Sequence, residues 1–137
     1  MLLRALSREF PKAQSQGMEV SQYLCGRYGW NQGSVTELAL EAPVDLLICN
    51  DVLGYLDDAD CQQALKNLSN ACGYALYLGV LTTEDLALCD PERTDSAQID
   101  RSAHWYRTRL NKHFTNAGGG LWLKKPLEVT LWSLEHL

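Results

Sequence analysis

Hydrophobic residues in this chain recur with helical spacing in some stretches and run together without alternation in others, and the two patterns take turns. Leu2, Leu3, Leu6 and Phe10, with Arg4 and Arg8 between them, predict the tail of an amphipathic helix that Pro11 ends. Ala13–Val20 reads as a strand closing on Gly17-Met18-Glu19. Ser21 is suited to cap a short helix carrying Tyr23, Leu24 and Tyr28, with Gly29 at its C′ position. A second strand is expected over Gly33–Leu38. Asp45–Cys49 is apolar without alternation, which predicts a central parallel strand covered on both faces. Beyond it, Asp57 or Asp58 can cap a helix whose stripe is Cys61, Ala64, Leu65, Leu68 and Cys72, with Gly73 as its stop. Tyr74–Val80 predicts another buried strand.

The second half is less regular. Leu81–Ala103 is rich in Asp, Thr and Ser and predicts an inserted loop over the sheet edge, with room for a helical turn. His104–Ala117 resumes a helical period through Tyr106, Leu110 and Phe114, and Gly118-Gly119-Gly120 stops it. Leu121–Leu123 and Val129–Leu134 are strand-like, and the short Lys124-Lys125-Pro126 link allows an antiparallel pair but no helical crossover. The expected fold is therefore α/β: a three-layer sandwich with a mainly parallel sheet and a C-terminal antiparallel hairpin, built as a single domain over residues 1–137.

Composition narrows the function more than the fold. A net charge of −5 with scattered basic residues argues against a nucleic-acid partner, which requires a clustered basic surface. No apolar run is long enough to span a bilayer, so no membrane partner is expected. Five cysteines, an odd number without a secretory leader, predict a cytoplasmic, reducing setting. They form no CxxC pair and no HxxxH accompanies them, so buried structural thiols are expected and a metal site is not.

Three segments, in order, resemble the class I S-adenosylmethionine-dependent methyltransferases. Gly17-Met18-Glu19-Val20-Ser21 is similar to the family's second strand, whose terminal acid binds the ribose hydroxyls; a carboxylate can accept both bonds of a vicinal diol. Gly33-Ser34-Val35 is similar to the turn beside the adenine, with Ser34 where many members carry an acid. Asp45 to Leu56 looks like the fourth strand and the loop facing the methionine end, with Tyr55 in place of a frequent histidine. The resemblance implies S-adenosylmethionine as cofactor, held by Glu19, Val20, Ser34, Val35, Asn50, Asp51 and Val52, and a small-molecule acceptor met by Tyr55, His104, Trp105 and Tyr106. Arg93 and Asp95, in the inserted loop, are further candidates for meeting a charged acceptor.

The family's glycine-rich turn between first strand and first helix is not found here, and Leu2–Phe10 looks like the end of that first helix. The resemblance thus implies a member truncated ahead of Met1, lacking the first strand. That loss would leave two strand edges that either close on each other or recruit a second chain, so a homodimer is among the expected partners. Two alternatives stay open: a non-catalytic methyltransferase-like remnant acting as an interaction module, and a nicotinamide-dependent oxidoreductase. The second also uses an acid after its second strand, but the closing hairpin and the absence of a Tyr-x-x-x-Lys pair speak against it.

Overall fold

The computed structural model describes residues 2–131, and they divide into two compact units, 1–37 and 38–137. In the first, helix α1 (Leu2–Glu9) precedes strand β1 (Met18–Glu19), helix α2 (Gln22–Tyr28) and strand β2 (Asn31–Gln32). β1 and β2 pair in parallel, Met18 opposite Asn31 and Glu19 opposite Gln32. The caps of α2 are those expected. Ser21 Oγ accepts from Leu24 N at 3.4 Å, and Gly29, at φ 69°, donates its N–H to Cys25 O. Both strands are shorter than the sequence suggests. Gln14-Ser15-Gln16 offers nothing apolar to bury, so β1 begins only at Met18. β2 lies ahead of Gly33–Leu38, because the Ser34 hydroxyl takes the Thr36 N–H at 3.2 Å and turns the chain into a 3-10 turn at Val35–Glu37.

The second unit contains strand β3 (Val44–Asn50), helix α3 (Asp58–Ala71), strand β4 (Cys72–Gly79), the short helix α4 (Thr83–Leu86), helix α5 (Ala103–Leu110) and strands β5 (Phe114–Gly118) and β6 (Leu121–Lys124). Its sheet runs β3-β4-β6-β5, with β3 parallel to β4 and the other two pairings antiparallel. β1 pairs with β2 in one sheet and β3 with β4 in another. Asp57 caps α3 by accepting from Asp60 N at 2.8 Å, and Cys61, Ala64, Leu65 and Leu68 form the buried stripe expected of it. Phe114, Leu76 and Leu110 complete the core. Lys124 reaches back to the Ser69 carbonyl and lies over the Phe114 ring, so it joins α3 to the end of β6.

Several expected boundaries move. Gly73 does not stop α3; the helix passes straight into β4 at Cys72, whose N–H still bonds Leu68 O. β3 has β4 as its one described neighbour, and Leu46 is 48 % exposed, so it is an edge strand instead of a central one covered on both faces. The largest shift is at the closing hairpin. α5 ends at Leu110, and Phe114 opens β5 where a helical residue was expected. The glycine triplet is therefore the turn of the β5–β6 hairpin, at φ 88°, 57° and 81°, and the antiparallel pair comes one element earlier than Val129–Leu134. Val129–Leu131 is irregular, and the rest of that segment lies outside the described residues.

Candidate functional site

Parallel strands bring their carboxyl ends to one side of a sheet, and ligand sites gather there. At that end of β3 the chain makes an abrupt corner. Asp51 adopts φ 54°, a left-handed conformation uncommon for a residue with a side chain, and its N–H donates to Gly79 O at 2.9 Å. Asn50 Nδ2 donates to Asp51 Oδ2 at 2.6 Å. Asn50 also occupies the space a side chain at residue 79 would need, so glycine there lets the two strand ends lie together. Strain of this kind, held in place by its surroundings, marks a position worth reading as functional.

Val52 is exposed, and beyond it Leu53–Tyr55 forms a 3-10 turn with Leu53 fully buried. A segment from the inserted loop grips this turn. Arg101, 4 % exposed, donates from Nε to Asp58 Oδ1 at 2.7 Å, from Nη1 to Leu53 O at 3.2 Å and from Nη2 to Leu56 O at 2.6 Å. Ile99 N donates to Gly54 O at 2.7 Å, and Gln98 packs so closely that a Cβ on Gly54 would lie 2.9 Å from its amide oxygen. The Tyr55 hydroxyl donates to Asp95 Oδ2 at 3.1 Å. That bond, above all, pushes the phenol's pKa upward, because ionisation would set two anions side by side. The loop is folded on itself as well. Thr82 and Asp85 form a capping box at α4, and Ala103 N donates to Glu84.

The other candidates have different surroundings. His104 is exposed and within 3.3 Å of the Thr108 hydroxyl. Trp105 is stacked by two guanidinium groups, Arg109 at 3.6 Å and Arg101 at 4.9 Å from its ring centre. Tyr106 is 3 % exposed and packs in the core. In the first unit, the Glu19 carboxylate takes one bond, from Ser21 N at 3.0 Å, and so retains acceptor capacity at the carboxyl end of β1. Val20 is 65 % exposed, its carbonyl accepting from Gln32, while Ser34 shares its hydroxyl with Thr36 and Val35 opens the 3-10 turn. Arg101 and the Tyr55–Asp95 contact were not legible as partners, since 48 and 40 residues separate the bonded groups.

No group of three or more His, Cys, Asp or Glu among the described residues is arranged to hold a metal. No described helix is long and apolar enough to cross a membrane. Cys25, Cys49, Cys61 and Cys72 are buried free thiols. Burial, and then the neighbouring Cys61, pushes Cys49 up to about 12, and burial also raises Cys61 and Cys72. A thiolate is the reactive form. Ellman's reagent at pH 7.5 is therefore expected to label the partly exposed Cys89 in the native chain, and to reach Cys49, Cys61 and Cys72 only on unfolding; prompt release of further thiols would show that the core opens.

No protein-family model matches this chain, and no curated protein sequence does. A solved structure does. The crystal structure of magnesium protoporphyrin IX methyltransferase from Synechocystis PCC 6803 with bound SAH superimposes with a TM-score of 0.64 at 15 % identity, covering 90 % of this chain and 70 % of that one. The fold is thus a class I methyltransferase-like α/β fold with a mixed sheet.

Proposed function

We propose that this chain is part of an S-adenosylmethionine-dependent methyltransferase acting on a small-molecule acceptor. The observation that carries the reading is the strained Asn50–Asp51 corner at the carboxyl end of β3, in a fold shared with a methyltransferase solved with SAH. When bound, the cofactor supplies an electrophilic methyl group on a sulfonium sulfur. Displacement at that carbon asks the protein mainly to position two partners. Each unit brings its own candidates to this reading: in the first, Glu19 has a free carboxylate oxygen that can take a ribose hydroxyl, and Ser34 and Val35 form a turn suited to lie beside a base; in the second, Asn50, Asp51 and Val52 follow the carboxyl end of β3, suited to the methionine end. Tyr55, with its proton held by Asp95, presents an oxygen lone pair that can accept an acceptor's N–H or O–H and so aim the nucleophile.

The glycines with positive φ among the described residues sit at a helix end and in a hairpin, not between a strand and a following helix. These residues therefore do not supply the turn that cradles a methionine moiety, and the reading as a methyltransferase-like remnant keeps its force. Calorimetry separates the two. SAH titrated into the 137-residue chain is expected to bind saturably but no more tightly than about 1 mM, a free energy near −4 kcal/mol. Micromolar affinity would overturn the argument from these glycines; no saturable binding would remove the cofactor from the proposal. In a form carrying the glycine-rich turn, Glu19→Ala should weaken binding by about 1.5–3 kcal/mol, as for lost hydrogen bonds to a charged group. Unchanged affinity would take Glu19 out of the site.

A further inference from the structure

The first unit contains an open cleft, here called the cavity, that the reading above does not use. It measures about 400 Å³ and is lined by Leu3 and Arg4 of α1, by Gln16 ahead of β1, and by Tyr28, Trp30 and Asn31 where α2 leads into β2. Its place is the amino end of β1, whereas Glu19 stands at the carboxyl end of the same strand.

Three features of the cavity suit one kind of occupant. The first is an aromatic wall: Tyr28 and Trp30 lie 4.8 Å apart, tilted by 30°. The Trp30 indole rests directly on the backbone of Gly17, where any Cβ would come within 2.5 Å of the ring, so its orientation is fixed by a contact no other residue type permits. The second is a charge. The Arg4 guanidinium lies 5.6 Å from the Tyr28 ring centre, and among the described residues it makes no ion pair and no hydrogen bond. No carboxylate lines the cavity, so nothing in its wall neutralises that cation. The third is α1 itself, an amphipathic helix with no buried residue. Such a helix normally gains its stability by burying its apolar stripe, and here Leu3 and Leu6 are only half-buried, with Leu3 on the wall of the cleft.

We propose that this cavity is a second ligand site, which takes a flat aromatic ring bearing a negative charge. The ring stacks on Trp30 and Tyr28, the anion meets Arg4 in a charge-assisted bond, and Gln16 and Asn31 supply neutral donors at the rim. Filling the space also completes the packing of α1. The site is independent of the proposed cofactor site, so the two succeed or fail separately.

The probe is 2-naphthoate, with naphthalene-2-carboxamide testing the ring without the charge and acetate the charge without the ring. The readout is the indole N–H resonance of Trp30 in the whole chain, assigned with Trp30→Phe. Naphthoate should shift that resonance saturably, with at least about ten-fold preference over either control, a 1.4 kcal/mol difference. Arg4→Gln should abolish the preference for naphthoate over the carboxamide while leaving carboxamide binding unchanged. The proposal is overturned if the Trp30 resonance stays still, if only other indoles move, or if Arg4→Gln binds naphthoate as well as the parent chain. Addition of SAH should not displace the naphthoate, and displacement would count against two separate sites.

Discussion

Replacing Arg101 with alanine is expected to destabilise the second unit by about 3 kcal/mol, read as a shift in the urea midpoint with unchanged slope. The loss does not come chiefly from the ion pair. The Asp58 side chain is 66 % exposed, and water can solvate it once the guanidinium is gone. It comes from the Leu56 carbonyl, which loses its guanidinium donor, from the Leu53 carbonyl, which keeps only the Leu56 N–H, and from the lost stacking of the guanidinium on Trp105. Asp58→Asn should therefore cost less than about 1 kcal/mol. Arg101→Lys should recover only a minor part, since one ammonium cannot reach three acceptors that a planar fork reaches together. Equal effects for Asp58→Asn and Arg101→Ala would show that the ion pair matters and the carbonyls do not. If the loop is a wall of the acceptor site, Arg101 also holds Tyr55 in place through the turn it fastens.

A comparable effect, about 2–4 kcal/mol, is expected from Gly120→Ala, through two causes that add. Residue 120 sits at φ 81°, and a Cβ there would lie 2.8 Å from the Leu78 carbonyl oxygen, a backbone atom that cannot swing aside. Leu78 also donates its N–H to Gly120 O, so a shift of residue 120 would disturb the β4–β6 junction. The neighbouring glycine provides the control. Gly119 has φ 57° and open space around its Cβ position, a conformation asparagine accepts. Gly119→Asn should change the thermal midpoint little, while Gly120→Ala should lower it by many degrees. Similar losses at both positions would mean that general turn stiffness, not the contact with Leu78, sets the requirement.

Local signals were the ones that could be read before the structure. Ser21 and Gly29 act within three or four residues of themselves, so their capping roles followed from type and position, and for α3 the same signal narrowed the cap to Asp57 or Asp58, of which Asp57 serves. The stripe on α3 was equally plain. Phe114 misled because its spacing from Leu110 suits a helix turn, whereas its burial is met as the first residue of β5. The glycine triplet suits a helix end and a hairpin turn alike, and only the partner strand decides between them. In the candidate site, Asn50 and Asp51 were placed by their position after an apolar strand. Their left-handed corner was not, since it depends on how Gly79 approaches from the next strand. The hold of Arg101 on Leu53 and of Asp95 on Tyr55 spans too many residues for any pattern along the chain to announce it.

The open side of β3 bears on how this protein behaves when copies crowd together. Within the sheet of the second unit, this seven-residue strand, with Leu46 and Ile48 in it, is paired on one edge only, and its other edge is a template for a further strand. Two neighbouring residues restrict what can use it. Pro43, just before the strand, has no N–H to offer. Asp45 would meet its own image about 4.8 Å away if a second copy paired there parallel and in register. A strand from another source with a lysine or arginine at that position would meet attraction instead. The edge thus admits a foreign strand with a basic residue at that position more readily than a parallel, in-register copy of itself.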